Sequence, residues 1–286
     1  MKGLASHTNE IFEKVSQLDS IKEYALIGGT ALALQINKRL SEDLDFCKWS
    51  KAPGKDHPEV SWKAIETELS QKVGKVEKTD VLGFNQVDFV VSGVKLSFYA
   101  NQNNSSPTGE YKTILNNIKV PDIETIGAMK LEVMQRRSKF RDYYDLYSIL
   151  KEGVPLNKMV DKAVAYSGNS LKAKNICAFI SNGENFKNDP NFQLLRPVYG
   201  VSQNDISSTI VAQFKKENAV DLTKAIYKGD YKKVKDLVNR SEGVVSQKHI
   251  KLISEMKDAK IEVPPKLEQF LKEKFKFENK NRGISL

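Results

Sequence analysis

Cysteine and histidine are both scarce in this chain. Its two cysteines, Cys47 and Cys177, have no close partner in sequence, which excludes a disulfide framework and a thiolate zinc knuckle. Two isolated thiols fit a reducing compartment, and a cytoplasmic protein is expected. The three histidines (His7, His57, His249) are scattered, so a histidine-centred triad or zinc site has little basis. Long apolar runs are missing too. No stretch approaches a membrane span, and the opening MKGLASHTNEIFEKV lacks the apolar centre of a signal peptide. Acid is in deficit: 36 Asp+Glu stand against 45 Lys+Arg, a formal charge of +9. That excess has two readings, a lysine-rich solvated surface or a polyanionic partner such as RNA, and charge alone does not choose between them.

What is present is ordinary globular material. The 286 residues, 40% of them hydrophobic, have room for two domains or one elaborated one. The organising stretch runs from Tyr24 to Trp49. An apolar run (Ala25, Leu26, Ile27) predicts a first strand, Gly28-Gly29-Thr30 a sharp turn, and Ala31 to Ile36 a helix. A basic turn leads to Asp43-Leu44-Asp45-Phe46, whose alternation makes a second strand with both carboxylates on one face. Two carboxylates side by side repel each other. Hard oxygen ligands in that arrangement suit a divalent cation such as magnesium. The free N–H groups of the helix start attract phosphate. A phosphate cradle followed by a two-carboxylate metal site is equipment for phosphoryl or nucleotidyl transfer.

The rest of the chain divides by pattern. Residues 6–18 form an amphipathic helix, and Val60 to Val73 form another. Gln86 to Val91 and Val94 to Tyr99 alternate around a two-residue Ser92-Gly93 turn. Val87, Phe89, Val91, Val94, Leu96 and Phe98 share the apolar face of that hairpin. Asn101 to Gly109 is a polar loop. Asp122 caps a helix with Ile123, Ile126, Met129 and Val133 as its buried stripe. A second helix follows from about Phe140, with Tyr143, Leu146, Tyr147 and Leu150 on its apolar side. Further helices are expected to the end of the chain, the last over 266–282 with a frayed tail beyond.

GGTALAL followed by Arg39-Leu40-Ser41-Glu42-Asp43-Leu44-Asp45-Phe46 resembles the nucleotidyltransferases of the AbiEii/AbiGii toxin group, bacterial proteins often encoded beside an antitoxin. Lys130 and Arg141-Asp142-Tyr143-Tyr144-Asp145 resemble that group's later lysine and Arg-Asp-x-x-Asp motifs. The likeness covers about residues 20–150. It implies an α/β (α+β) fold, a nucleotidyltransferase-like mixed sheet with flanking helices joined to a mainly helical C-terminal portion. The expected division is 1–120 for the core and 121–286 for the helices.

The resemblance also implies a chemistry: magnesium-dependent transfer of a nucleoside monophosphate from an NTP to an acceptor, RNA of a tRNA-like kind, in a toxin-like role with a cognate antitoxin. Asp43 and Asp45 would hold the metal. Gly28, Gly29, Thr30, Arg39, Ser41 and Lys130 would contact the nucleotide, and Asp142 would join the catalytic group, with Arg141 and Asp145 as further candidates. Each has a bland counterpart: idle surface aspartates, a snorkelling lysine, or a helix-surface pair between Arg141 and Asp145.

One departure stands out. Where the superfamily places a third acid, in a pattern like Gly-Val-Lys-Val-Asp-Phe, this chain has Ser97. Asp88, directly across the hairpin with Cβ atoms about 4.5–5.5 Å apart, either supplies the missing metal ligand or is a solvated strand residue. A small-molecule nucleotidyltransferase and a catalytically idle nucleotide-binding protein are the rival readings.

Overall fold

The computed structural model describes residues 1–102, 104, 106–240 and 243–281. The fold is mixed α/β. Five strands form one sheet: β1 (Ala25–Ile27), β2 (Leu44–Trp49), β3 (Val76–Val81), β4 (Gln86–Val91) and β5 (Val94–Asn101), in the order β1-β2-β5-β4-β3. All neighbours are antiparallel except β2 and β5, which run parallel. A separate hairpin pairs β6 (Lys112–Leu115) with β7 (Ile118–Val120). Helices α1 (Ser6–Ser16), α2 (Gly28–Ile36) and α3 (Trp62–Lys72) belong to the sheet. From α4 (Ile123–Met134) onward the chain is helical: α5 (Phe140–Lys151), α6 (Leu156–Tyr166), α7 (Ala173–Ile180), α8 (Gln203–Tyr227), α9 (Tyr231–Arg240), α10 (Gln247–Asp258) and α11 (Pro265–Asn281). Arg282 and the tail expected to fray lie outside the described residues.

The β4–β5 hairpin follows the predicted register. Ser92 and Gly93 take positive φ of 51° and 71°, the backbone of a tight two-residue turn, and Asp88 faces Ser97. All six apolar-face residues of the hairpin are fully buried. That face is covered by α1 and α3. Phe98 is its centre, stacked on Phe46 with ring centroids 5.0 Å apart and met edge-on by Tyr24 and Phe89. Period-two analysis missed β3, an edge strand whose Glu77, Lys78 and Asp80 break the alternation; charge on an edge strand blocks further pairing.

The opposite, polar face of the sheet is left for a site, and α4 stands over it. Asp122 caps α4 as predicted, accepting from the Thr125 N–H at 2.8 Å. The buried side of α4 differs from expectation. Ile126, Ala128, Leu131 and Met134 are buried, whereas Met129 and Val133 are only half-buried and line a cleft. The hydrophobic core crosses residue 120 without a break, joining sheet residues to α4, α5, α6 and the first half of α8. A second cluster starts at Leu222 and gathers the end of α8 with α9, α10 and α11.

If Phe98 organises the sheet core, Phe98→Ala should cost about 3–5 kcal/mol of stability. Urea unfolding would show this as a lower midpoint at unchanged slope, and a loss below about 1 kcal/mol would place the organising contact elsewhere.

Candidate active site

The site begins at the strand-to-helix turn. Ile27 pairs with Asp45 across β1 and β2, and Gly28 follows with φ of +70°, a left-handed conformation natural to glycine. A Cβ on Gly28 would sit 3.0 Å from Asp45 Oδ2, so the Asp45 carboxylate lies against the start of α2. No side chain caps that helix start. Its first-turn N–H groups and positive dipole end therefore face Asp45 and the cleft.

Gly29 has a different neighbour. A Cβ there would come 2.4 Å from an Arg39 guanidinium nitrogen, so glycine is what lets Arg39 pass behind the turn. The basic turn carrying Arg39 is pinned by Tyr144 Oη donating to the Lys38 carbonyl at 3.0 Å and by hydrogen bonds from Leu40 N to Leu195 O and Ser41 N to Gly3 O. The Thr30 hydroxyl bonds to the Asp43 carbonyl and, at 2.8 Å, to Ser41 Oγ. Gly28 thus lines the cleft, whereas Thr30, Arg39 and Ser41 are buried beneath it and spend their polar atoms on protein.

Across the cleft lies a buried ion network. Asp145 takes Arg39 in a two-pronged bond (Nε to Oδ1 and Nη2 to Oδ2, both 2.8 Å) and also takes Lys130 Nζ at 2.8 Å. Lys130 Nζ donates to Asp142 Oδ1 at 2.5 Å, and Arg137 Nε reaches Asp142 Oδ2 at 3.2 Å. Lys130 is 6% exposed, Asp145 2% and Asp142 not at all. Burial of that depth excludes the snorkelling reading of Lys130. Desolvation alone would raise both carboxyls; Lys130 and Arg137 outweigh it at Asp142, as Arg39 and Lys130 do at Asp145, so both titrate below the ordinary carboxylate range. Lys130 is likewise held charged by Asp142 and Asp145 against its own desolvation.

The expected pair between Arg141 and Asp145 does not form, because Asp145 is filled from the other side. Arg141 turns outward to Asp189 at 2.6 Å. The cluster around residues 136–141 is also less basic than its sequence: Arg136 pairs with Glu132, Arg137 with Asp142 and Arg141 with Asp189. Sequence reading left Arg137 out of the active centre. That residue lies just beyond the end of α4, where the chain turns back toward Asp142, a placement that spacing along the helix does not give.

Asp45 is the exception in charge balance. Burial, then the neighbouring Asp43, push its carboxyl above the ordinary range, only partly offset by Lys130, Arg137 and a Ser97 hydrogen bond. The surrounding cations are committed elsewhere: Lys130 and Arg137 to Asp142, Arg39 to Asp145, and Lys95 to Asp88 at 2.7 Å. Asp45, Ser97 and Asp88 lie in one cross-strand row, with Ser97 in the middle. Among the described residues no three His, Cys, Asp or Glu side chains converge as a metal centre, so Asp88 is not gathered with Asp43 and Asp45. The Asp43–Asp45 pair, with hard oxygens and one carboxyl already strained by negative charge, fits a divalent cation by the chemistry of its donors.

A family model described as "Nucleotidyl transferase AbiEii toxin, Type IV TA system" matches residues 11–236. An uncharacterized protein of Aquifex aeolicus is 25% identical over 185 residues, which cover 63% of this chain and 84% of that protein.

The two kinds of carboxylate predict opposite pH behaviour. Asp142 and Asp145, with lowered pKa, stabilise the fold fully above the unfolded carboxylate value of about 4 and lose that contribution as pH falls through their folded values. Asp45, with a raised pKa, costs stability as pH climbs from about 4 through its folded value. Asp45→Asn should therefore raise the melting temperature at neutral pH, with the gain shrinking toward pH 4. Asp145→Asn, which strands buried cations, should cost about 3–5 kcal/mol. Thermal scans across pH test both, and a neutral-pH Asp45→Asn protein less stable than the parent contradicts the charge assignment.

Proposed function

The chain belongs to the AbiEii nucleotidyl transferase toxin family of type IV toxin–antitoxin systems, and from that premise we propose that it moves a nucleoside monophosphate from an NTP to an RNA acceptor. The observation that carries this reading is Asp45. A carboxylate with a raised pKa, set against an uncapped helix start and facing a buried lysine, is a poor structural element and a good half of a metal–triphosphate site.

Asp43 and Asp45 would hold magnesium, which when bound supplies charge to the triphosphate and polarises the α-phosphate. The chain's own groups do the positioning. First-turn N–H groups of α2 face the phosphate oxygens. Lys130 offers a point charge, kept protonated and aimed by Asp142 and Asp145. Arg39 fixes Asp145 from behind. The acceptor hydroxyl oxygen bonds to the α-phosphorus as its proton passes to water, the bond from the α-phosphorus to the bridging oxygen breaks, and pyrophosphate leaves with that oxygen. Most of the rate in such chemistry comes from alignment and charge neutralisation, which these groups suit. Arg136, on the cleft wall with an exposed side chain, would meet acceptor phosphates. A cognate antitoxin partner follows from the family.

A second reading, a small-molecule acceptor, draws support from the carboxylate partners that Arg136, Arg137 and Arg141 already have.

Incubation with each labelled NTP, magnesium and total RNA should label RNA on a gel. Asp43→Asn and Asp45→Asn should each cut transfer about a hundredfold or more while remaining folded; near-normal turnover in either removes the reading. For an RNA acceptor, log K should fall against log[salt] with a slope of about −0.7 per neutralised phosphate, and Arg136→Ala should flatten it. Salt-insensitive transfer moves the small-molecule reading ahead.

A further inference from the structure

The cleft has two chemically different ends. Its volume is about 650 Å³, and its charged end holds Gly28, Asp45, Lys130 and Arg137. The sheet registers set the difference. Asp45, Ser97 and Asp88 make one row on the polar face; two residues along, Cys47, Tyr99 and Gln86 make the next. The second row carries no charge at neutral pH and lies about 7 Å further along the strands. That is roughly the reach from an α-phosphate across a ribose to its base.

The cleft that this row lines also carries Met129 and Val133 of α4, apolar side chains left half-buried at its surface. On the sheet side Tyr99 is half-buried, and the Gln86 amide, paired with Tyr99 in register, makes no hydrogen bond among the described residues. Tyr166 closes the end, held in place as its hydroxyl accepts from Trp49 Nε1 and Asn101 Nδ2, each at 3.1 Å. The result is a slot with an aromatic floor on the sheet, an aliphatic roof on α4 and Tyr166 at its end. The side-chain amides of Asn85, Gln86 and Asn104 line it without a hydrogen bond among the described residues, and only Gln86 lies in the uncharged row. The row itself offers a polyphosphate no cation, and the apolar side chains of α4 gain by being covered.

We infer that this uncharged end is the nucleobase subsite. The flat base of the incoming NTP lies between Tyr99 and the Met129–Val133 roof, and the Gln86 amide bonds to its edge and selects among bases. The inference rests on the NTP reading proposed above and adds to it where selectivity resides. Apolar faces above and below an aromatic base stabilise it without regard to its identity. A single amide, which donates and accepts at once, discriminates through the pattern of edge groups it meets.

Calorimetric titration in magnesium with each common NTP and with inorganic tripolyphosphate tests this. The parent should bind its best NTP about tenfold or more tighter than its worst. Gln86→Leu, similar in volume, should compress that spread to about threefold or less. Val133→Trp, which fills the slot from the roof, should weaken every NTP about tenfold or more. Tripolyphosphate, which needs only the charged end, should bind both variants as it binds the parent and should be lost in Lys130→Ala. An unselective parent, an unchanged spread in Gln86→Leu, or unchanged NTP affinity in Val133→Trp overturns the subsite. A parent that binds tripolyphosphate but no NTP also overturns it. A parent that binds neither, or tripolyphosphate binding indifferent to Lys130, sinks the NTP reading itself and the subsite with it.

Discussion

Asp145 is the constraint on which the site depends. A carboxylate 2% exposed cannot stay ionised without cations of its own, and it has two: Arg39 from the turn before β2, and Lys130 from α4. Three separate chain segments are fixed to one another by that single group. The sheet end of the cleft and its helical wall meet at α5, and the buried charge makes their spacing specific. Asp142, one helical turn earlier, repeats the arrangement with Lys130 and Arg137. The inventory is three cations against two carboxylates, a surplus of positive charge that reaches Asp45. Neither Asp43 nor Asp45 has an ion-pair partner among the described residues, the state that the proposed metal–triphosphate reading would exploit.

The same network bears on motion. The hydrophobic core is continuous between the sheet and α4–α6, and a charge network crosses the cleft below its surface. The two walls therefore belong to one packed body, and the groove between them is preformed. Side-chain rearrangement, notably of the half-exposed Arg137, is the adjustment left available.

Sequence reading reached what is local. The glycine turn, the Leu44-Asp45-Phe46 alternation (Asp43 lies just before β2), the β4–β5 register and the Asp122 cap each rest on a few adjacent residues whose backbone preferences agree. It failed where tertiary partners decide. Arg39 and Asp145 are far apart in sequence, so helical spacing offers only Arg141 as a possible partner for Asp145, and in the fold Arg141 turns to Asp189. Met129 and Val133 fit a buried stripe by spacing, yet a stripe does not say whether core or cleft lies opposite it. β3 was hidden because an edge strand carries charge where alternation is sought. Ser97, conspicuous as a missing acid, sits between Asp45 and Asp88 in the folded sheet; register could be read from the turn, but the Lys95 partner of Asp88 could not.

Gly29 has a consequence for how this protein can change over generations. The Arg39 guanidinium occupies the space any larger residue at position 29 would need. A mutation to alanine there must displace an arginine that Asp145 grips with both oxygens, and a shortened residue 39 leaves Asp145 and Lys130 to rebalance alone. Residues 29, 39, 130 and 145 are coupled through one buried charge, so a substitution at any of them is felt through the partners of the others.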